Sequence, residues 1–396
     1  MKYKAVLLIL AAVFPLLSGC WSRLEVENLA IVAGLGIDKT HENGKEMYSL
    51  TVNILRPSLI GGATTGGGSK GMPNFWRVTA KGESLADAEK NINTRIPRKV
   101  FYGHDRFVIV GEDAAKDGLL DIIDYLQRNT EIRLRILMLS TKGKAENVMT
   151  QFPELETTIA RVIEEMERIT SKDVSKVLIR DLVKITDDII TPGVDPVLAQ
   201  VIIQLSPPTQ AGGGPIKILK YVGGGVIRED KLVGWLDEIE TRGYMFAIGK
   251  ALRSAISIKV SPGPGKDAGI YLTRASSNIK TSVKGQEVTA QIEIKAEGEL
   301  AEYHKQDKIA KPAGIRKLEE GLGKEIQQEV MQAFKKGQKL NADIFGIGDN
   351  MHKHNSKTWE KMNKDWYKIL PNVKIDVKVS AHVRRTGFIS NPYIAR

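Results

Sequence analysis

Two stretches of the chain alternate apolar and polar residues almost without interruption. Val288, Ala290, Ile292, Ile294 and Ala296 oppose Thr289, Gln291, Glu293, Lys295 and Glu297. Val373, Ile375, Val377, Val379, Ala381 and Val383 likewise oppose Lys374, Asp376, Lys378, Ser380, His382 and Arg384. Successive side chains of a strand point to opposite faces, so each stretch reads as a strand with one buried face. Between them Ile315, Leu318, Leu322, Ile326, Val330 and Phe334 step by three or four, the stripe of a long amphipathic helix. Together they predict a long helix packed on an antiparallel sheet, an α+β layer. A parallel doubly wound sheet needs strands apolar on both faces.

The first half mixes strand and helix patterns. Leu29 to Ile37 reads as a buried strand ending at Asp38, and Tyr48, Leu50, Val52 and Ile54 alternate with polar residues in a second. Phe75 to Ala80 is extended, and Ser84 to Arg95 is a helix capped by Ser84. Asp105 to Val110 is a short strand. Glu112 and Asp113 open a helix whose apolar face is Leu119, Ile122, Ile123 and Leu126. Ile132 to Leu139 and Val197 to Leu205 read as strands around a helix-rich stretch at about 145–190. Ser206 to Pro215 then punctuates the chain with Pro and Gly, as an interdomain linker or as a long hairpin loop. Beyond it, Ile216 to Ile227 and Leu232 to Leu236 are extended around a turn at Arg228 to Lys231. The overall expectation is a multidomain mixed α/β protein. It has an N-terminal domain at 20–205, with 145–190 as a candidate second lobe, a connection at 206–215 and a C-terminal α+β domain at 216–396.

The first twenty residues change the picture. Lys2 and Lys4 precede an apolar run over residues 5–17, and Ser18 and Gly19 lead into Cys20, the one cysteine of the chain. That is a secretory signal, residues 1–19, with a bacterial lipobox. The 13-residue run is too short to span a bilayer, which needs about 20 residues. A simple secretory signal would leave an unpaired exported thiol. Acylation at Cys20 would instead tether the mature protein to the outer face of a membrane, and a diacylglyceryl group holds stably where one acyl chain does not.

Charge adds an asymmetry. The formal net charge is +11, yet from Cys20 to Ser206 basic and acidic residues number 24 and 26, and from Pro207 onward 32 and 21. An exported lipoprotein does not meet the chromosome. The basic second half therefore suits anionic headgroups or an acidic membrane partner, or is a solvated surface.

Motifs for catalysis are weak. Gly67-Gly68-Ser69-Lys70-Gly71 matches GxSxG in letters, but a Gly-rich loop precedes Ser69 and Pro73 follows, where a strand and a helix are needed. The stretch at 61–71 is a flexible loop by composition. Gly34-Leu35-Gly36 begins GxGxxG, with Lys39 in the third glycine's place. His352 and His354 lack partners at ligand spacing. Trp359 and Trp366 fall at helical spacing, as core residues do. No catalytic residue, cofactor or metal site is expected.

Several stretches together carry a resemblance. Cys20-Trp21-Ser22-Arg23-Leu24-Glu25, with Gly34, Gly36 and Asp38 in the strand that follows, resembles the mature start of the Ger(x)C family of spore germination lipoproteins. Gly103-His104-Asp105-Arg106 through Gly111-Glu112, with Gly118-Leu119 to Arg128 and Glu131 to Arg133, is similar to its middle motif. Gly223 to Val226, Lys231 to Leu236 with Gly234 and Trp235, and Glu240 to Gly243 resemble the opening of its C-terminal domain. Asp343 to Gly346, Trp359, Trp366 and Arg384 to Gly387 resemble its closing segment. Ser22 departs from the acidic residue common in the family. The resemblance implies a C subunit of a GerA-type nutrient germinant receptor. Such a subunit is lipid-anchored at Cys20 on the outer face of the spore inner membrane. It stands beside A-type and B-type membrane subunits and has no enzymatic activity of its own. Two other readings are a solute-binding lipoprotein of a transporter, which needs two βαβ lobes around a cleft, and an envelope hydrolase built on Ser69.

Overall fold

The structure is a computed structural model. It describes residues 28–385 apart from 43, 57–73, 152–155, 157, 208–214, 263–264, 286 and 305–310, together with Tyr3. Cys20, Trp21, Ser69 and Gly387 lie outside the described residues.

The apolar run at the start of the described chain becomes β1 (Leu29–Glu42), longer than its apolar part because its partner β2 (Lys45–Leu55) pairs with it out to Glu42 and Lys45. β3 (Phe75–Gly82) continues the antiparallel meander, and α1 (Leu85–Asn93) follows. Its Ser84 cap accepts the Asp87 amide as the pattern predicts. The short strand β4 (Lys99–Phe101) pairs parallel with the first residues of β1. β5 (Phe107–Val110) is parallel to β1, and β6 (Leu137–Ser140) is parallel to β5. Between them the expected single helix is two, α2 (Glu112–Asp117) and α3 (Leu120–Arg128), broken at Gly118 with φ +149°. After α4 (Ala145–Met149), α5 (Ile159–Asp173), β7 (Arg180–Asp181) and α6 (Leu182–Ile190), the chain enters β8 (Val197–Ser206).

β9 (Ile216–Arg228) pairs antiparallel with β8, Ser206 facing Ile216, and β10 (Lys231–Leu236) returns beside β9. The Pro/Gly-rich stretch therefore joins neighbouring strands of one sheet. Residues 216–236, expected in the C-terminal domain, complete the first sheet. Its order is β10-β9-β8-β6-β5-β1-β2-β3, with β4 and β7 on its flanks. All four residues of β5 are buried. Val108 and Val110 enter one core with α1, α2, α3 and α6, and Phe107 and Ile109 enter the other with α4 and α5. This sheet is covered on both faces.

The second layer begins with α7 (Glu238–Ala247), capped by a reciprocal Asp237–Glu240 box. β11 (Ser254–Ile258), β12 (Ala268–Lys284) and β13 (Glu287–Tyr303) are antiparallel. α8 (Pro312–Lys339) follows, then α9 (Ile347–His354), α10 (Ser356–Met362), α11 (Trp366–Ile369) and β14 (Lys374–Arg385). Leu318, Leu322, Ile326 and Val330 of α8 are wholly buried with Ala290, Ile292 and Ile294 of β13. A long helix on a sheet is the arrangement that the pattern predicts. The expected antiparallel sheet needs one correction: β14 pairs parallel with β13, Ala290 beside Ile375 and Ile292 beside Val377. The helical connection carries the chain back to the end where β13 began, and a crossover of that kind produces a parallel neighbour. Trp359 and Trp366 are buried as expected, their rings 5.3 Å apart at 70°. No helix among the described residues is long and apolar enough to cross a membrane.

Candidate functional site

The residues singled out in the sequence fall into separate places. Gly34 lies under the Phe107 ring, where a Cβ would approach within 2.2 Å, and Gly36 faces Met149 of α4. Asp38 is buried, and its Oδ1 and Oδ2 accept the amides of Ala145 (2.7 Å) and Glu146 (2.9 Å), capping α4. Burial raises its pKa against those two hydrogen bonds. Gly103 packs on Phe101, exposed His104 stands edge-on to the same ring, and Arg106 pairs with Glu164 at 3.2 Å. Gly234 abuts the Leu340 side chain just beyond α8, and Trp235 lies under the Lys142 ammonium at 5.5 Å. His354 Nδ1 lies 3.0 Å from the Asn350 carbonyl oxygen, and His352 stands beside Trp359. No group of His, Cys, Asp and Glu able to hold a metal occurs among the described residues.

Asp343 and Gly346 do come together with other polar groups, in the turn between α8 and α9. Asp343 Oδ1 accepts the Ile347 amide (2.9 Å), and Oδ2 accepts the Gly348 amide (2.7 Å) and Trp366 Nε1 (3.1 Å). Gly346 precedes α9 with φ +66°, the left-handed geometry that glycine adopts without steric penalty. The Asp343 amide donates to Asp195 Oδ2 at 2.6 Å, and the Asp195 amide donates back to the Asp343 carbonyl at 3.0 Å. Asp195 sits just ahead of β8. Its Oδ1 accepts the Glu229 amide (3.2 Å) and the Tyr367 hydroxyl (2.9 Å). Two buried carboxylates thus join the first sheet to the turn that follows α8.

Burial pushes Asp343 up to about 7, with the nearby Asp195 charge adding to the rise and the three donors opposing it. Asp195 is raised by the same desolvation. Glycines let the backbones meet here: a Cβ on Gly193 would stand 2.6 Å from the Asp349 nitrogen, and one on Gly348 2.7 Å from the Trp359 ring. Alongside runs a cleft of about 360 Å³ lined by Ile189, Ile190, Trp359, Trp366 and Tyr367. The arrangement has the chemistry of a latch, with acceptors matched to donors and no nucleophile poised beside a base.

Sequence reasoning did not single out Asp195, Gly193 or Tyr367; the one local signal for Gly193 and Asp195 is the turn Pro192-Gly193-Val194-Asp195-Pro196. A second buried connection lies within the C-terminal layer. Arg242 Nε donates to Glu329 at 2.8 Å, Nη2 donates to its other oxygen, and Nη1 donates to the Ala255 carbonyl at 3.1 Å. Beside it Gly243 lets α7 lie against the α8 backbone, where a Cβ would meet the Glu329 carbonyl at 2.1 Å.

Two sheets joined through a pair of buried carboxylates make a mixed α+β fold of two layers. The comparisons make that specific. Residues 22–203 match the family described as spore germination protein N-terminal domain, and residues 222–387 match spore germination B3/GerAC like, C-terminal. The chain belongs to this family of GerAC-like spore germination proteins. It is 27% identical to putative spore germination protein YfkR of Bacillus subtilis, over 98% of this chain and 97% of that one. It is 25% identical to spore germination protein KC of the same organism, over 98% of this chain and 96% of that one. The fold is also similar to the crystal structure of the GerBC protein, with a TM-score of 0.52 and 18% identity over 88% of this chain and 97% of that one.

Proposed function

We propose that the protein is a non-catalytic, lipid-anchored subunit of a nutrient germinant receptor, required for nutrient-triggered spore germination. The observation that carries this reading is the match of both family segments, in order, across residues 22–387, directly behind the lipobox cysteine Cys20. Acylated Cys20 holds the body at the outer face of the spore inner membrane, at high effective concentration beside A-type and B-type membrane subunits. The division into 20–205 and 216–396 belongs to the same reading, with β9 and β10 as the second segment's contribution to the first sheet. Family-motif glycines and aspartates serve packing and latching rather than chemistry. Deleting the gene should abolish germination in response to at least one nutrient while leaving spore formation intact. Normal germination with every nutrient, in a strain lacking relatives of the gene, would overturn the proposal. Mass spectrometry of the protein from spore membranes should find diacylglyceryl on Cys20, and an unmodified thiol there would remove the tether.

A further inference from the structure

Strand direction places the chain's entry point and a set of arginines on one edge of the first sheet. β1, β5 and β6 are parallel, so the turns that lead into them lie at the same end. Gly34 is the residue of β1 in register with Phe107. Leu29 to Ala33 therefore reach past the start of β5, beside β4, with Leu29 opposite Lys99. Arg98 and Lys99 sit at this end, and so do Arg106, Arg133 and Arg135.

Some of this charge is already matched. Lys99 pairs with Glu131 at 3.3 Å, Arg106 with Glu164 at 3.2 Å and Arg168 with Glu165 at 2.7 Å. Asp105 is 1% exposed, and the Arg133 and Arg106 charges act on it; half-buried Glu167 lines the same cleft, whose Arg161 already stands 3.9 Å from Glu156 and from Glu165. Arg98, Arg133 and Arg135 are exposed, and among the described residues none has a carboxylate within ion-pair distance. Between the last two stands Leu134, a large apolar side chain 49% exposed. A leucine held out to solvent between two unmatched arginines suits an interface that is anionic at its surface and apolar just beneath.

Chain length supplies the occupant. Cys20 precedes the first described residue of this edge, Asn28, by eight residues, which reach at most roughly 29 Å. Resting on the lipid-anchored reading above, we propose that this edge, led by Arg98, Arg133, Leu134 and Arg135, lies against the anionic headgroups of the bilayer that holds Cys20. The edge fixes which way the tethered body faces. The contact surface lies in the half of the chain with balanced charge, not in the basic half that composition suggests.

The test uses the mature chain with Cys20→Ser, so that no lipid contributes, and flotation with vesicles. It should float with phosphatidylglycerol–phosphatidylcholine vesicles, stay behind with phosphatidylcholine alone, and be released near 1 M salt, where screening shortens to about 3 Å. R133A/R135A should weaken binding roughly 25-fold, at about fivefold per arginine near an anionic surface. Leu134→Ser should weaken it further, with unchanged circular dichroism and melting. Lys357→Ala with Lys361→Ala, on exposed α10, should leave it nearly unchanged. Absence of binding to the anionic vesicles, or an equal loss in the α10 variant, overturns the proposal. An unmodified Cys20 in spores with normal flotation in vitro would defeat the tether and leave the surface standing, so the two failures are distinguishable.

Discussion

Asp38 and Asp343 make the same local structure in different halves of the molecule. Each is buried and sets its carboxylate on the first amides of a short helix, at 2.7 and 2.9 Å for Asp38 and at 2.9 and 2.7 Å for Asp343. A carboxylate there satisfies amides that have no partner within the helix and meets the positive end of the helix dipole. The two differ in what lies beyond the cap. Asp38 reaches from β1 to α4 beside Gly111, whose Cβ would stand 2.0 Å from its Oδ1, and so closes the first layer on itself. Asp343 adds the Trp366 indole and the doubly bonded Asp195, and so ties that layer to the second. One device serves packing in one place and assembly in the other, and only the second brings two carboxylates together.

The largest expected effect follows from that difference. Asp343→Ala strands three buried donors, at about 1–3 kcal/mol each, a loss of roughly 3–9 kcal/mol. Hydrogen exchange should rise in α9, α10 and the turn before β8, while the amides of β1 and β5 keep their protection. Asp38→Ala strands two donors, roughly 2–6 kcal/mol, and should loosen α4 and the far end of β1 alone. If the two variants expose the same amides, the contrast between a local cap and a latch is lost. Denaturant unfolding of the mature chain gives the magnitudes.

A buried pair offers an intermediate comparison. Arg242 and Glu329 are 5% and 2% exposed, and their hydrogen bonds are nearly complete. Removing one partner of such a pair costs about 3–5 kcal/mol, whereas replacing both by apolar residues of similar volume is often close to neutral. Arg242→Met should therefore destabilise strongly and Arg242→Met with Glu329→Leu much less. Equal losses would mean that the ion pair has no part in seating α7 on α8.

pH tests Asp343 further, although burial raises Asp38 in the same direction. The folded pKa of Asp343, about 7, lies above its unfolded value of 3.8. The stability linked to its proton is fully present below about pH 4 and is lost as pH rises toward 7; Asp195, also raised, acts in the same direction. Asp343→Asn should be less stable throughout, because its amide meets donors. It should also flatten the fall between pH 4 and 7, read as the difference between its stability curve and that of the unaltered chain. Parallel curves would show that Asp343 stays ionised in the fold.

How much of this was legible follows from periodicity. α8 and the strands β13 and β14 declare themselves, because one face of each is apolar over many residues. Their parallel pairing does not, since it depends on the path through residues 340–373, where short helices leave no long period. β12 went unassigned: its first residues are buried, but a register shift between Leu272 and Arg274 and polar Ser277 and Thr281 on its half-buried face interrupt the apolar period, and pairing along β13 makes it a strand. Ile132, Leu134 and Ile136 alternate like a strand, yet they form the turn that sets Leu134 outward. In the site, Asp343 and Gly346 were found through family resemblance. Asp195 left no signal beyond its Pro/Gly turn, because its partner is 148 residues away.

The smallest expected effect tests whether Gly346 belongs to the latch or only to its turn. Its φ of +66° is costly for a residue with a Cβ, and a Cβ there would have open surroundings, with the nearest contact 3.5 Å from Val194. Gly346→Ala should therefore cost about 1–2 kcal/mol through backbone strain alone, and Gly346→Asn less, because asparagine tolerates that region. Gly193→Ala meets both strain and the Asp349 nitrogen at 2.6 Å, so it should cost more than Gly346→Ala and have no rescue by asparagine. If Asn fails at 346 as it does at 193, close contact rather than backbone angle governs both positions, and the turn is part of the sheet-to-sheet interface itself.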